Sequence, residues 1–237
     1  MLPAMHSKGT DRTAPPIVLI HGFLSSADKS FGRTGWISQL SSIGRRGIAV
    51  DLPGHGTNTA PINSAAACTS AIVRILAETI TTEYPDESVD VVGYSLGSRL
   101  AWELPTHGTP VRRLVLGGLS LTDPFAGLTA TELNAALQGK NTDERSAMVA
   151  SFIANSRGDS HSLAALVEGL GSEPFDVSRN APAVPTLLVG GSDDPLVRGI
   201  AELAPTLPRG QYVLIPGDHD GAAMSAEFQE AALRFLA

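Results

Sequence analysis

Short, nearly continuous apolar runs bounded by glycine and proline recur along the chain: Ile17 to Ile20, Ile48 to Val50, Val89 to Val92, Leu114 to Leu116, Thr186 to Val189 and Tyr212 to Ile215. Runs of this length with little polar alternation predict strands buried on both faces. Between most of them the apolar residues return every three or four positions. That spacing predicts helices over Trp36 to Arg45, Ala65 to Tyr84 and Leu96 to Thr106, and a shorter one over Leu196 to Leu203. A closing helix carries Met224, Phe228, Ala231, Ala232, Phe235 and Leu236 on one stripe. Strand alternating with helix predicts an α/β fold, a mostly parallel sheet covered by helices on both faces.

One stretch breaks the alternation. From Leu119 to Pro185 there is no strand pattern, but Thr129-x-x-Glu132 reads as a capping box opening Leu133 to Leu137, and Arg145 to Ile153 and Leu163 to Leu170 have helical spacing. The expected organisation is a core of residues 1–118 and 186–237 interrupted by a helical insertion at 119–185. No internal repeat is present.

Composition narrows the functional classes. At 237 residues and 43% hydrophobic content the chain can bury a sizeable core. Its net charge of -7, with Arg45-Arg46 and Arg112-Arg113 as the only adjacent basic pairs, does not match a nucleic-acid footprint. Arg45-Arg46 falls where it would face the C-terminus of its own helix. Cys68 is the sole cysteine, so no internal disulfide can form; at helical spacing with Ile72, Ile75, Leu76 and Ile80 it is expected to be a small buried hydrophobe. The first sixteen residues lack an apolar core of signal-peptide length, and no run approaches the roughly 18 apolar residues of a membrane span. The expectation is a soluble, cytoplasmic protein with no membrane partner.

The candidate chemistry starts at Gly93-Tyr94-Ser95-Leu96-Gly97, directly after the Val89 to Val92 run. A serine on a sharp strand-to-helix turn presents its hydroxyl to substrate, and small neighbours let the chain approach itself there. The pattern alone is weak, arising by chance about one time in five at this composition. A serine also needs a base, and the base needs a third group to orient it. Thr186 to Val189 runs into Gly190-Gly191-Ser192-Asp193-Asp194-Pro195, and Tyr212 to Ile215 runs into Pro216-Gly217-Asp218-His219-Asp220. An acid, Asp193 or Asp194, and a base, His219, thus stand at the carboxyl ends of two successive strands, the edge where open parallel sheets gather their sites. No second histidine lies at ligand spacing from His219, so a metal site is not expected there.

Serine, acid and histidine in that order resemble the α/β-hydrolase fold family over nearly the whole chain. His21-Gly22-Phe23 resembles that family's oxyanion loop, and Asp51-Leu52-Pro53-Gly54-His55-Gly56 its turn after the second strand. The resemblance implies Ser95 as nucleophile, His219 as general base and Asp194 as its orienting acid, since Asp194 precedes proline in the family's Gly-x-x-Asp pattern. It implies an oxyanion hole from the backbone N–H groups of Phe23 and Leu96, bracing roles for His21 and His55, and no cofactor or metal. His6, His107 and His161 read as surface residues, Tyr94 and Leu96 as packing residues.

The implied activity is hydrolysis of a small carboxylic ester or related acyl substrate through an acyl-enzyme. A thioesterase, acyltransferase, lactonase or carbon–carbon bond hydrolase shares the same triad, and a low-turnover receptor shares the same fold. Phe125, Leu128, Leu133, Leu137, Phe152 and Phe175 of the insertion are candidate pocket lining, with cap-to-core packing as the plainer role. Two departures stand out. The segment before Ile17 is short, predicting about six main strands. Asp218 stands where a glycine commonly precedes the histidine, and a carboxylate beside His219 would favour the imidazolium and displace the activity optimum to higher pH.

Overall fold

The computed structural model describes all 237 residues. Its centre is a seven-stranded sheet. The six predicted strands are present as β2 (Ile17–Ile20), β3 (Gly47–Val50), β4 (Val89–Tyr94), β5 (Val111–Gly117), β6 (Thr186–Gly191) and β7 (Gly210–Ile215), all parallel where they pair. A seventh, β1 (Ala4–His6), adds antiparallel to the outer side of β3. Three residues at an edge are too few to leave a hydrophobic period, so the sequence pattern does not reveal it.

The strand order β1-β3-β2-β4-β5-β6-β7 fixes where a site can form. After β2 the chain moves outward to β3, then crosses back to lay β4 on the other side of β2. The loops leaving β2 and β4 therefore diverge, opening a crevice at the carboxyl edge between them. Those are the loops that begin with His21-Gly22-Phe23 and with Ser95.

Alternate residues of the strands enter two apolar clusters, one on each face of the sheet. The larger joins Val18, Ile20, Val91, Leu114, Leu116 and Leu188 to α2 (Thr69–Glu83), α3 (Leu96–Glu103) and the three insertion helices. The smaller joins Ile17, Leu19, Val92, Val115 and Val189 to α1 (Trp36–Ser42) and the closing helix, whose Phe228, Ala232 and Leu236 face inward. The insertion helices are α4 (Ala130–Leu137), α5 (Glu144–Ala154) and α6 (Ser160–Ser172), each with a side-chain N-cap, from Thr129, Asp143 and Asp159. The N-cap half of the capping box is formed, with Thr129 Oγ1 accepting the Glu132 N–H at 3.2 Å; the Glu132 carboxylate accepts the Thr129 hydroxyl at 2.8 Å instead of its backbone N–H. Leu133, Val149, Ile153, Leu163 and Leu170 from these helices lie in the same cluster as the sheet face, so the insertion shares the core beneath it.

The remaining helices are α7 (Ile200–Leu203), α8 (His219–Ala223) and α9 (Ala226–Leu236). Four sequence expectations are corrected. The helix expected over Leu196 to Leu203 is two pieces, a 3-10 turn at Pro195–Val197 and α7, separated at Gly199, whose φ of 81° cannot continue a right-handed helix. The α2 helix starts at Thr69, because the Glu173 carboxylate at the end of α6 accepts the Ser70 N–H at 2.7 Å, a cap supplied from across the fold. Cys68 is accordingly the partly exposed residue before that helix, not a buried hydrophobe. Arg45 serves no C-terminus of its own helix. It is buried, bonded to the Asp90 carboxylate, and donates to the Leu236 carbonyl at 3.0 Å, closing the last turn of α9.

Asp90 explains an oddity of the apolar β4 run. Its carboxylate is fully buried and is shared by Arg45 and by Arg112, whose Nη2 lies 2.6 Å away and also donates to the Leu236 carbonyl at 2.7 Å. A buried carboxylate with two guanidinium partners is satisfied; with one removed it is costly. This cluster sits at the amino edge of the sheet, opposite Ser95.

Candidate active site

Ser95 follows the last residue of β4 and precedes α3, with φ 53° and ψ -115°, a strained conformation for a residue with a Cβ. The surrounding glycines are required by close approach. A Cβ on Gly97 would lie 2.1 Å from the Ile20 carbonyl oxygen, and one on Gly93 would lie 2.4 Å from the Gly97 oxygen. The turn is pinned by the Ser95 N–H, which donates to the Gly117 carbonyl at 2.8 Å, and by the Ser98 hydroxyl on the same oxygen at 2.7 Å. The outcome is a half-buried hydroxyl at the start of a helix, where the positive end of the helix dipole favours developing negative charge.

His219 and Asp194 reach the same point from the ends of β7 and β6. His219 Nε2 lies 2.9 Å from Ser95 Oγ, and Nδ1 lies 2.6 Å from Asp194 Oδ2. Since the ionised carboxylate only accepts, Nδ1 carries the proton and donates it, leaving Nε2 to accept from the serine hydroxyl. The Asp194 side chain is fully buried and its Oδ1 accepts the Leu196 N–H at 2.9 Å, so the carboxylate that faces the imidazole is fixed by its neighbours. Asp193 is exposed, its carboxylate taking a hydrogen bond from Ser192.

Tyr94 does more than pack. Its hydroxyl donates to the His219 carbonyl at 2.8 Å, and its ring stands 5.4 Å from the imidazole and 5.2 Å from the Phe228 ring. Burial, reinforced by the Asp194 charge, raises the phenol pKa, so the group stays a donor. Asp218 Oδ1 accepts the Gly221 N–H at 2.7 Å as the N-cap of α8. An aspartate here starts the helix that begins with His219.

The loop after β2 faces Ser95 from the other side of the crevice. A Cβ added to Gly22 would stand 3.2 Å from the Ser95 Cβ. The Phe23 and Leu96 N–H groups donate to no acceptor in the protein, and both lie in the segments that flank the serine. The loop holding Phe23 is braced by two buried histidines, as the sequence suggested. His21 Nδ1–H donates to the Gly22 carbonyl at 2.7 Å while Nε2 accepts the Leu52 N–H at 3.1 Å. His55 Nδ1–H donates to the Pro53 carbonyl at 2.8 Å while Nε2 accepts the Leu24 N–H at 2.9 Å. Both bonding patterns require neutral rings. Burial drives the His21 pKa down to about 3, helped by neighbouring His55, and burial lowers that of His55 as well. Asp51 completes the brace by accepting from the Ala27 N–H and from the Thr57 N–H and hydroxyl, each at 2.8 Å.

The insertion reaches this loop through Phe125, whose ring meets that of Phe23 edge-on at 5.1 Å. Behind it lies a residue that sequence reasoning missed. Arg99, one turn beyond Ser95 on α3, is buried with its guanidinium 5.5 Å from the Phe125 ring and 5.7 Å from that of Phe175, and it pairs with Asp123. Asp123 in turn accepts the Phe125 and Phe175 N–H groups at 2.7 Å each, so one ion pair ties α3 to both ends of the insertion. An arginine four places after a serine has no distinctive pattern, and its partner lies beyond the next strand. Of the suggested lining residues, Phe125, Leu128, Leu133 and Phe175 are buried in the shared core, Leu137 is half-buried, and Phe152 is 56% exposed on the outer side of α5. Phe152 is therefore no part of an enclosed lining; the neighbouring Ile153 takes the buried position on that helix. No three His, Cys, Asp or Glu side chains gather as a metal-holding group, and no helix is long and apolar enough to cross a membrane.

A parallel sheet with a serine elbow between strand and helix, and an acid and histidine at the next strand ends, defines the α/β-hydrolase fold. The chain belongs to this family: the family model for the alpha/beta hydrolase fold matches residues 15–139, just over half its length. Solved structures agree on the fold. MenH from S. aureus superposes with a TM-score of 0.75 at 21% identity, covering 100% of this chain and 98% of that one. A thermophilic esterase from Thermogutta terrifontis gives 0.75 at 20% identity, covering 98% and 91%. The enol-lactonase from Burkholderia xenovorans gives 0.74 at 18%, covering 99% and 96%. No curated protein matches the sequence.

Proposed function

We propose that the protein is a serine hydrolase that cleaves a small carboxylic ester or related acyl compound through an acyl-enzyme on Ser95. The observation that carries this reading is the continuous relay Asp194 Oδ2, His219, Ser95 Oγ, at 2.6 and 2.9 Å, beside two unengaged backbone donors. His219 takes the hydroxyl proton as Ser95 attacks the acyl carbon, and Asp194 stabilises the imidazolium that results. The oxyanion of the tetrahedral intermediate is held by the Phe23 and Leu96 N–H groups, a contribution on the order of 10² to 10³ in rate for each donor in comparable sites. His219 then protonates the leaving group and activates water for the second step. These steps call on no cofactor or metal.

Tyr94 and the N-cap Asp218 are positioning residues for His219, and the helices of residues 119–185 form a cap over the crevice with Phe125 against the oxyanion loop. Turnover of p-nitrophenyl acetate and butyrate by the wild-type chain and Ser95→Ala tests the reading, with a fluorophosphonate label on Ser95 as the companion readout. Equal rates in the two proteins would sink it.

A further inference from the structure

The sheet ends on β7, and nothing in the chain pairs with the outer side of that strand. An open edge is a template for another strand, and edges are ordinarily blunted by charge, proline or shortness. The opposite edge obeys this, since β1 has three residues. β7 does not: it is six residues, Gly-Gln-Tyr-Val-Leu-Ile, with no charge and no proline. Val213 is 38% exposed and Leu214 57%. Adjacent residues of a strand point to opposite faces, so exposure of both leaves the edge uncovered above and below.

The two ends of β7 carry opposite charge. At its start Arg209, Arg112, Arg113 and Arg234 line a hollow of about 780 Å³ together with Gln211 and Val213, with no acidic side chain among the lining. Arg112 and Arg234 have carboxylate partners of their own in Asp90 and Glu230, whereas exposed Arg209 has none. At the finish, Asp193, Asp218 and Asp220 are all exposed, and the Asp193 N–H is held to the Gly217 carbonyl at 3.0 Å.

We infer that β7 is a homodimer interface, in which a second copy of this chain pairs β7 against β7, antiparallel across a two-fold axis. With the axis through Val213, outward-facing Tyr212 opposes the other copy's outward-facing Leu214, and Arg209 opposes its Gly217, next to Asp218. Each arginine end then meets an aspartate end twice, once on either side of the axis. A strand that carries both signs is complementary to itself reversed, which selects a second copy over a foreign acidic partner. The pairing satisfies the outward N–H and C=O groups of β7 and covers Val213 and Leu214 near the axis.

Sedimentation equilibrium on the purified chain decides the matter. The expected mass is twice the 24.6 kDa of one chain, with dissociation favoured by added salt. Leu214→Asp and Arg209→Asp should each weaken dimerisation by about tenfold or more, a change of roughly 1.4 kcal/mol at that threshold. Arg209 makes no side-chain hydrogen bond, so its variant keeps the thermal midpoint of a monomer and separates lost pairing from lost folding. Hydrogen exchange should show the outward amides of β7 protected in the wild type and open in Leu214→Asp. A 24.6 kDa species at all concentrations, or a dimer indifferent to both substitutions, would overturn the inference.

Discussion

His219 Nδ1 and Asp194 Oδ2 lie 2.6 Å apart, while the carboxylate of Asp193, one residue earlier, points into solvent. The difference is large enough to measure. Asp194→Asn leaves the shape intact but makes the acceptor for Nδ1–H ambiguous and favours the wrong tautomer, and kcat for p-nitrophenyl acetate should fall by about 10⁴. Asp193→Asn should leave kcat within about twofold, corresponding to less than 0.5 kcal/mol. A comparable loss in both variants would mean that the orienting acid has been misassigned.

The buried histidines make stability depend on pH. His21 has a folded-state pKa of about 3, below its ordinary 6.5, so the fold favours the neutral ring. Its contribution is fully present above pH 6.5 and is lost as pH falls toward 3, because the unfolded chain takes up a proton that the folded chain refuses. The slope for one such site is about 1.4 kcal/mol per pH unit, and His55 adds in the same direction. Urea midpoints measured between about pH 7.5 and 4.5 should fall steadily, and fall less steeply in His21→Gln although that variant starts lower. Parallel pH profiles for the two proteins would remove His21 from the acid-sensitive set.

Asp90 should matter to stability alone. Replacing it with alanine leaves Arg45 buried without its charge partner and loosens the clamp on the end of α9, with an expected loss of about 3–5 kcal/mol in chemical denaturation. Because the cluster stands at the amino edge of the sheet, kcat of the protein that remains folded should be unchanged. Loss of kcat with an unaltered denaturation midpoint would be the contrary result.

Phe125 and Phe152 form a paired test of the insertion. Phe125→Ala removes a buried ring from the Phe23 contact and should cost about 3 kcal/mol of stability, and kcat/KM on the order of 10-fold to 100-fold as the loop after β2 loosens. Phe152→Ala deletes an exposed ring, and both quantities should stay within about 0.5 kcal/mol of wild type. A larger effect from Phe152 would place it at the substrate after all.

The fold was legible in the sequence where local pattern and global structure agree. Six apolar runs became six parallel strands because a strand buried on both faces tolerates little else, and the elbow, acid and base motifs were readable because each is anchored to the end of such a run. Ser95, Asp194 and His219 are 25 to 124 residues apart in the chain, yet their order and strand-end placement predicted that they meet. What the tertiary structure alone decided rests on partners distant in sequence. Local pattern sets Arg45 against its own helix, whereas it holds Asp90 and the carbonyl of Leu236, 191 residues away. The start of α2 was set by Glu173, the role of Asp218 by the helix it caps, and the burial of Arg99 by Asp123 and two aromatic rings from the insertion. Periodicity records which face of an element is apolar. It does not record which charged group is waiting on the other side, because the strength of a charge pair depends on a burial that exists only once the chain has folded.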